Sequence, residues 1–310
     1  MLGNSVIKEW EYKIAEHCKQ DYCIATCNAS QGIFGAFMAL GLSGKEIITT
    51  PMTWSGALSG LLMLGCDIKF CDVEANYLSM DPEKLQNAIT PETRAVFTAD
   101  FLGYPCRLDD IKKICQENNI YLIHDAATSY GSYYKGHQSG YFADVSIYSF
   151  GTKKLFSIGE GGAIVTKDGS IYKKLIETIG HPERQQIEFG EVLNPFSINM
   201  SMNVLGAEFG LKNFDKEIKK IKNRAKSINK KLNLLGVNQT SIDFMPNFYK
   251  ILIDLNCIGQ IEKVYENYLR DLPFKPIYKQ AGFENHNFPI LENTQKYLEY
   301  RILEDRYCYL

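Results

Sequence analysis

Seven short apolar runs punctuate the first two thirds of the chain, at 22–26, 46–49, 67–71, 95–99, 120–124, 144–150 and 162–166. Several are rich in Ile and Val and nearly continuous in apolar character, as strands covered on both faces are. Between them, apolar residues recur three and four apart at 33–42, 55–64, 108–118 and 171–179, which is helical spacing. Strand–helix alternation over this length predicts a mostly parallel sheet wrapped by helices. Ligands of such sheets bind beyond the carboxyl ends of the strands, so the residues just after each run are where chemistry is expected.

The pattern changes after residue 202. From 212 to 232 the chain is rich in Lys, with Ile218, Ile221, Ala225, Ile228 and Leu232 at helical spacing. That is a helix with one apolar stripe and a basic outer face, and such faces are usually solvated rather than bound to nucleic acid. A weak strand signal at 248–253 and a final helical run complete a smaller α+β unit. The expected division is 1–202 and 203–310.

Composition narrows the picture. With 310 residues, 45% hydrophobic and 23% charged, the chain has material for a substantial core. A formal charge of −2 argues against nucleic acid or anionic membrane as partners. No segment is apolar for membrane-spanning length, and MLGNSVIKEWEYK has no signal-peptide core. The nine cysteines are odd in number and form no CxxC pair, so they read as reduced thiols of a cytoplasmic protein, and no metal site is expected.

Three strings carry candidate chemistry. In YLIHDAATSYG, Asp125 closes an apolar run and so stands at the ligand edge of a strand; alone such a residue is more often a cap or turn residue. In DVSIYSFGTKKLFSIGEGGAIVT, a strand ends at Ser149, a loop carries Lys153 and Lys154, and Gly159, Gly161 and Gly162 lead into the next strand. A lysine on such a loop reaches a crevice, although paired lysines are usually solvated and GEGG also suits a plain turn or a nucleotide loop. In TCNASQGIFGAFMAL, a strand runs into a polar turn and a helix beginning near Ser30. The free N–H groups of Ser30, Gln31 and Gly32 would make an anion site there, and the alternative is an ordinary N-cap. Together the three fit one cofactor, pyridoxal phosphate (PLP). It needs a lysine, a carboxylate at its pyridine nitrogen, a helix end for its phosphate and a flat group against its ring.

These strings resemble the DegT/DnrJ/EryC1/StrS family of PLP-dependent sugar aminotransferases, from about Gly3 to Asp215. HDAATSYG resembles the family's EDAAQAxG, which implies that Asp125 faces the pyridine nitrogen. SFGTKKLFSIGEGGAIVT resembles SFxxxKxxxxGEGGxxxT, whose lysine stands five residues after the serine and five before the first glycine; both counts give Lys154, not Lys153. PMTWSGALSGLLMLGC resembles PSxTFVATxNAxxxxGA, so Trp54 inherits the ring-stacking role, with a buried core Trp as the alternative. CNASQGIFGAFMALGL is similar to SSGTAALxLALxALGI, which passes phosphate contacts to Ser30 and Gln31, with Ser149 adding another. INMSMNVLGAEFGLKNFDK resembles NYRMSxIQAALGLxQLxKLD, implying that Asn199 reaches the cofactor of a neighbouring subunit in a homodimer with shared active sites.

The resemblance implies the three-layer fold-type-I architecture, a shortened C-terminal α+β domain, glutamate or glutamine as donor, and a keto sugar, nucleotide-linked keto sugar or keto cyclitol as acceptor. Two departures stand out. Thr128 replaces the glutamine that approaches the cofactor's 3′ oxygen, and Ser201 replaces the arginine of NYRM. The rivals are the family's sugar dehydratases, which carry histidine where Lys154 stands, and a PLP-fold protein kept for regulation or assembly. A dinucleotide or ATP binder would need GxGxxG or GxxxxGK[ST] after the first strand, and neither is there. His181 and Arg184, in GHPERQQ, are further candidate substrate contacts, with a helix C-cap as the plainer reading of the histidine.

Overall fold

A computed structural model describes residues 6–234, 236–237, 239–254, 269–270, 272, 276–277, 291–295 and 300–303. The expected strands appear in order as β1 (Tyr22–Thr26), β2 (Glu46–Thr49), β3 (Asp67–Phe70), β4 (Thr93–Ala99) and β5 (Tyr121–Asp125). After a hairpin of β6 (Tyr133–Tyr134) and β7 (His137–Gln138) come β8 (Val145–Ser149) and β9 (Gly162–Thr166). Seven of these form one sheet in the order β1-β9-β8-β5-β4-β2-β3. Pairing is parallel throughout except around β9, which runs antiparallel to both β8 and β1. The loop 150–161 contains no helix, and without a crossover the next strand returns antiparallel.

Alternation along the strands sorts side chains to two faces. Ile47, Phe97, Ile123, Ile147 and Ile164 pack under helices α2 (Ala29–Ala39), α3 (Ser55–Met63) and α6 (Gly169–Ile179). Their neighbours Ile48, Val96 and Leu122 meet α4 (Pro82–Ala88) and α5 (Leu108–Glu117), while Tyr148 and Val165 meet α1 (Val6–Cys18) and α8 (Val204–Leu234). The result is the three-layer α/β architecture expected, with the central strands covered on both faces and the edge strand β3 turning Asp67 and Lys69 to solvent. Between α6 and α8 lies α7 (Pro182–Phe189).

The basic helix is longer than its lysine-rich stretch. Phe214, Ile218 and Ile221 of α8 pack on the main core, and Ile228 and Leu232 join a separate cluster with Phe248, Ile251 and Ile253. That cluster contains β11 (Ile251–Asp254), which pairs with β13 (Tyr300–Leu303), itself paired with β12 (Leu269–Arg270). A strand therefore stands at 300–303 where a helical run was expected; most of that run lies outside the described residues. The short β10 (Phe244–Met245) adds to the hairpin, pairing Phe244 with Tyr134. Among the described residues no helix is long and apolar enough to cross a membrane.

Candidate active site

The carboxyl ends of β1, β4, β5 and β8 place Thr26, Ala99, Asp125 and Ser149 along one edge of the sheet. Gly162, first residue of β9, pairs with both Ser149 and Thr26 and so occupies the same edge. A Cβ on Gly162 would lie 2.5 Å from the carbonyl carbon of Asn28 and 2.6 Å from Thr26 Oγ1. The last glycine of GEGG thus admits the backbone of the turn before α2, a close approach that no other residue type allows.

That turn is built differently from its expected form. The helix begins at Ala29, with Asn28 as its N-cap: Asn28 Oδ1 accepts the Gln31 N–H at 2.9 Å, and Asn28 O accepts the Gly32 N–H at 3.1 Å. Two of the three amides counted on for an anion are therefore spent within the cap. What remains is the Ser30 amide with the exposed side chains of Ser30 and Gln31, the latter in contact with Cys27 Sγ. Trp54 adjoins them. A Cβ on Gly56 would lie 2.8 Å from Trp54 Nε1 and 3.6 Å from Ser30 Oγ. Trp54 is 63% exposed, which removes the alternative of a core tryptophan.

Asp125 is buried at the end of β5, with Oδ1 accepting the Ala127 N–H at 2.9 Å; Oδ2 has no protein donor among the described residues. Burial raises its pKa above the usual carboxylate range, against the opposing pull of the Ala127 amide and Lys154. Lys154 lies on the loop after β8, its N–H donating to Gly151 O at 2.9 Å. Burial lowers the pKa of its amine, while the charge of Asp125 acts the other way. Phe150 and Phe156 flank the loop and pack edge-on against Trp10, with centroids 5.1 and 5.7 Å away. Such contacts contribute ~0.5–1.5 kcal/mol each beyond burial, and they hold the lysine loop to the main core. Lys153, by contrast, is exposed.

Beneath Asp125 sits a second polar layer. Asp100 is buried, its N–H donates to Asp125 O at 3.1 Å, and its carbonyl accepts the Thr128 hydroxyl at 2.8 Å. Its carboxylate accepts from Cys106 N at 2.8 Å and from the Ser139 hydroxyl, and lies 3.2 Å from His124 Nε2. Ligand atoms of Asp100, Cys106 and His124 approach within 4.8 Å of one another. Each carboxylate oxygen nonetheless already accepts from a protein donor, Oδ1 from Cys106 N and Oδ2 from Ser139, so the trio reads as a structural polar knot. With its proton given to Asp100, the Thr128 hydroxyl can only accept from a ligand.

The remaining candidates divide. Ser149 Oγ accepts weakly from Gly151 N at 3.5 Å. Asn199 is exposed, and its Oδ1 accepts the Ser201 N–H at 3.1 Å. Its segment lies against the turn before α2, since Cys27 N–H donates to Met200 O at 3.0 Å. His181 caps the start of α7, accepting the Glu183 N–H at Nδ1, rather than the end of α6. Arg184 is buried in an ion pair with Glu11, which corrects its expected place among substrate contacts. One residue was missed. The ring centroid of Tyr249 lies 5.3 Å from Lys154 Nζ, and the sequence offered only a weak strand signal there.

The donor set fits PLP: a buried carboxylate with an open oxygen, a lysine whose amine burial drives toward the neutral form, and a helix end beside an exposed aromatic ring. A cleft lined by Thr90, Thr93, Arg94 and Asn119 opens at the opposite edge of the sheet and touches none of these groups.

The model of the DegT/DnrJ/EryC1/StrS aminotransferase family matches residues 2–246. A GDP-perosamine synthase of Escherichia coli O157:H7 is 26% identical over 306 residues, covering 96% of this chain and 82% of that protein. Other curated relatives match about half of this chain and less than half of their own length. An aminotransferase from Psychrobacter cryohalolentis shares the fold with a TM-score of 0.82 at 21% identity, covering 98% of this chain and 88% of that one. The E. coli GDP-4-keto-6-deoxy-D-mannose-3-dehydratase, solved with bound hydrated PLP, superposes at 0.80 and 21% identity, covering 97% and 87%.

Proposed function

Because the chain belongs to the DegT/DnrJ/EryC1/StrS aminotransferase family, we propose that it moves an amino group from glutamate or glutamine to a keto sugar, a nucleotide-linked keto sugar or a keto cyclitol. The observation that carries this reading is the placement of Asp125, which closes β5, and Lys154, on the loop after the neighbouring β8, at the same carboxyl edge of the sheet. PLP is the family's cofactor; bound here, it supplies the electron sink for bond breaking at the donor's α-carbon and carries the nitrogen between the two substrates.

Each residue then has a task. Lys154 would hold the cofactor through Nζ, and the same Nζ, when free, would take a proton from the donor's α-carbon and hand it on. Burial lowers its pKa and so raises the share of neutral, nucleophilic amine, against the opposing charge of Asp125. Asp125 would hold the cofactor at its ring nitrogen, its carboxylate charge favouring the protonated ring. Ser30, Gln31 and Ser149 hold the phosphate, and Trp54 covers one face of the ring. Thr128, whose own proton is committed to Asp100, would reach the cofactor only by way of a water.

The protein works as a homodimer in which Asn199 serves the neighbouring site. Exposed apolar side chains around it support this: Phe196 is 90% exposed and Leu205 71%, with Ile198 and Phe209 close by in the chain. A cytoplasmic setting fits the seven described cysteines, all of them free. The test is incubation of the PLP-loaded protein with ¹⁵N-glutamate and a panel of free and nucleotide-linked keto sugars, read by mass spectrometry. A ¹⁵N-amino sugar that disappears in Lys154→Ala supports the reading. A loaded protein that accepts nitrogen from neither glutamate nor glutamine speaks against it.

A further inference from the structure

The segment 244–250 is fastened to the large sheet's loops along its whole length. β10 extends the β6–β7 hairpin, and Lys250 N–H donates to Leu102 O at 3.2 Å. Between them Asn247, 1% exposed, donates from Nδ2 to the carbonyls of Thr128 and Tyr130 at 2.9 and 3.0 Å. Its N–H goes to Ser132 Oγ at 2.9 Å, and its Oδ1 accepts the Tyr249 N–H at 2.7 Å. Arg224 of α8 closes the turn from behind, donating to the carbonyls of Asn247 and Phe248 at 2.9 and 2.6 Å.

Two backbone features show how tightly this turn is determined. Phe248 sits at φ +53°, the left-handed region that a residue with a side chain occupies only when its surroundings impose it. Gly103, at φ +93°, leaves the space: a Cβ there would lie 2.2 Å from Asn247 Oδ1 and 2.9 Å from Tyr249 N. The carbonyls that Asn247 grips belong to the loop that follows Asp125. One side chain therefore ties the C-terminal part of the chain to the edge that carries the candidate chemistry, and it delivers the half-buried ring of Tyr249 to Lys154 Nζ.

We propose that Tyr249 is a positioning residue for Lys154: its ring, aimed by the Asn247 staple, walls the amine and favours its ammonium form. The inference rests on the reading of Lys154 as the cofactor lysine. Ammonium–ring attraction opposes the loss of hydration at Nζ, and Asp125 is the charged group that acts on this amine from the sheet side. When Nζ takes the proton from the donor's α-carbon, the ring stabilises the cation so formed. The phenol hydroxyl has no part in this, so a plain phenyl ring should serve as well.

The test has two layers. PLP is first added to wild type and Lys154→Ala, and the visible band is recorded; a band that survives in Lys154→Ala sinks the reading of the lysine itself. If the band depends on Lys154, the pH midpoint of Lys154 acylation is then measured in the PLP-free protein by mass spectrometry, for wild type, Tyr249→Phe, Tyr249→Leu and Asn247→Ala. The expected result is an unchanged midpoint in Tyr249→Phe and a fall of about half a pH unit in Tyr249→Leu. Asn247→Ala, which keeps the ring but frees the turn, should shift in the same direction and keeps the test open if the leucine variant does not fold. A midpoint in Tyr249→Leu equal to wild type, or a Tyr249→Phe shift as large as that of Tyr249→Leu, overturns the proposal while leaving the role of Lys154 intact.

Discussion

Arg184 donates from Nη1 and Nη2 to the two carboxylate oxygens of Glu11 at 2.8 and 2.9 Å, with both side chains buried. Glu11 also accepts the Ala25 N–H at 2.7 Å, and Arg184 Nε reaches Glu188 at 2.9 Å. The pair thus joins α1, β1 and α7 at a place remote in role from the ligand edge. Removing one partner strands a buried charge, so Arg184→Ala should lose ~3–5 kcal/mol of stability in urea unfolding. The KM values for donor and acceptor should stay at wild-type levels in the folded fraction; raised KM with unaltered stability would restore the substrate role expected from the sequence.

Asp125→Asn keeps the shape of the carboxylate and removes its charge. The visible band of the PLP-loaded protein should still form, because Lys154 is untouched. Bleaching of that band by glutamate should slow by roughly 10²–10³-fold, the scale for loss of one preorganised electrostatic group. Stopped-flow absorbance measures this directly, and a rate within a few-fold of wild type would remove Asp125 from the machinery.

Gly162→Ala places a methyl group 2.5 Å from the Asn28 carbonyl carbon, where backbone must move. Overpacking of this kind destabilises by ~1–3 kcal/mol. Because the displaced backbone is the turn that offers Ser30, cofactor affinity should fall by about tenfold, a loss of ~1.4 kcal/mol. Fluorescence titration with PLP checks the second effect; a loss of stability without a loss of affinity would detach the turn from the cofactor.

His17 carries a pH dependence of its own. Burial, reinforced by Lys222 and Lys13, lowers its pKa from 6.5 to about 4. The unfolded chain therefore binds this proton first as the solution is acidified. Stability from this group is intact above pH 6.5 and drains away as the pH falls toward 4, by at most about 3 kcal/mol. In His17→Gln the slope of unfolding free energy against pH should flatten over that interval; an unchanged slope would assign the acid lability to other groups.

Much of this architecture is written in local pattern. β1, β2 and β9 begin and end where the apolar runs do, because strands covered on both faces are nearly continuous in apolar residues. Asp125 and Lys154 each stand at or just after the end of such a run, but it was the family motif's spacing, not the apolar pattern, that singled out Lys154 over Lys153. Asn28 was hidden as the cap because any small polar residue in the turn could have taken that place. Arg184 looked available because its partner, Glu11, lies far away in the chain and sequence spacing carries no trace of the pairing. Tyr249 was invisible on the same grounds: its place depends on Asn247 gripping carbonyls of Thr128 and Tyr130, a contact across more than a hundred residues.

The central claim is that Lys154 carries PLP and Asp125 governs its chemistry, and the visible absorption spectrum of the purified protein tests it most directly. With PLP added, the account predicts a yellow band that glutamate or glutamine bleaches and that Lys154→Ala lacks. A band that forms but resists both donors would contradict the aminotransferase assignment. No band at all, or one that survives in Lys154→Ala, would contradict the assignment of the lysine.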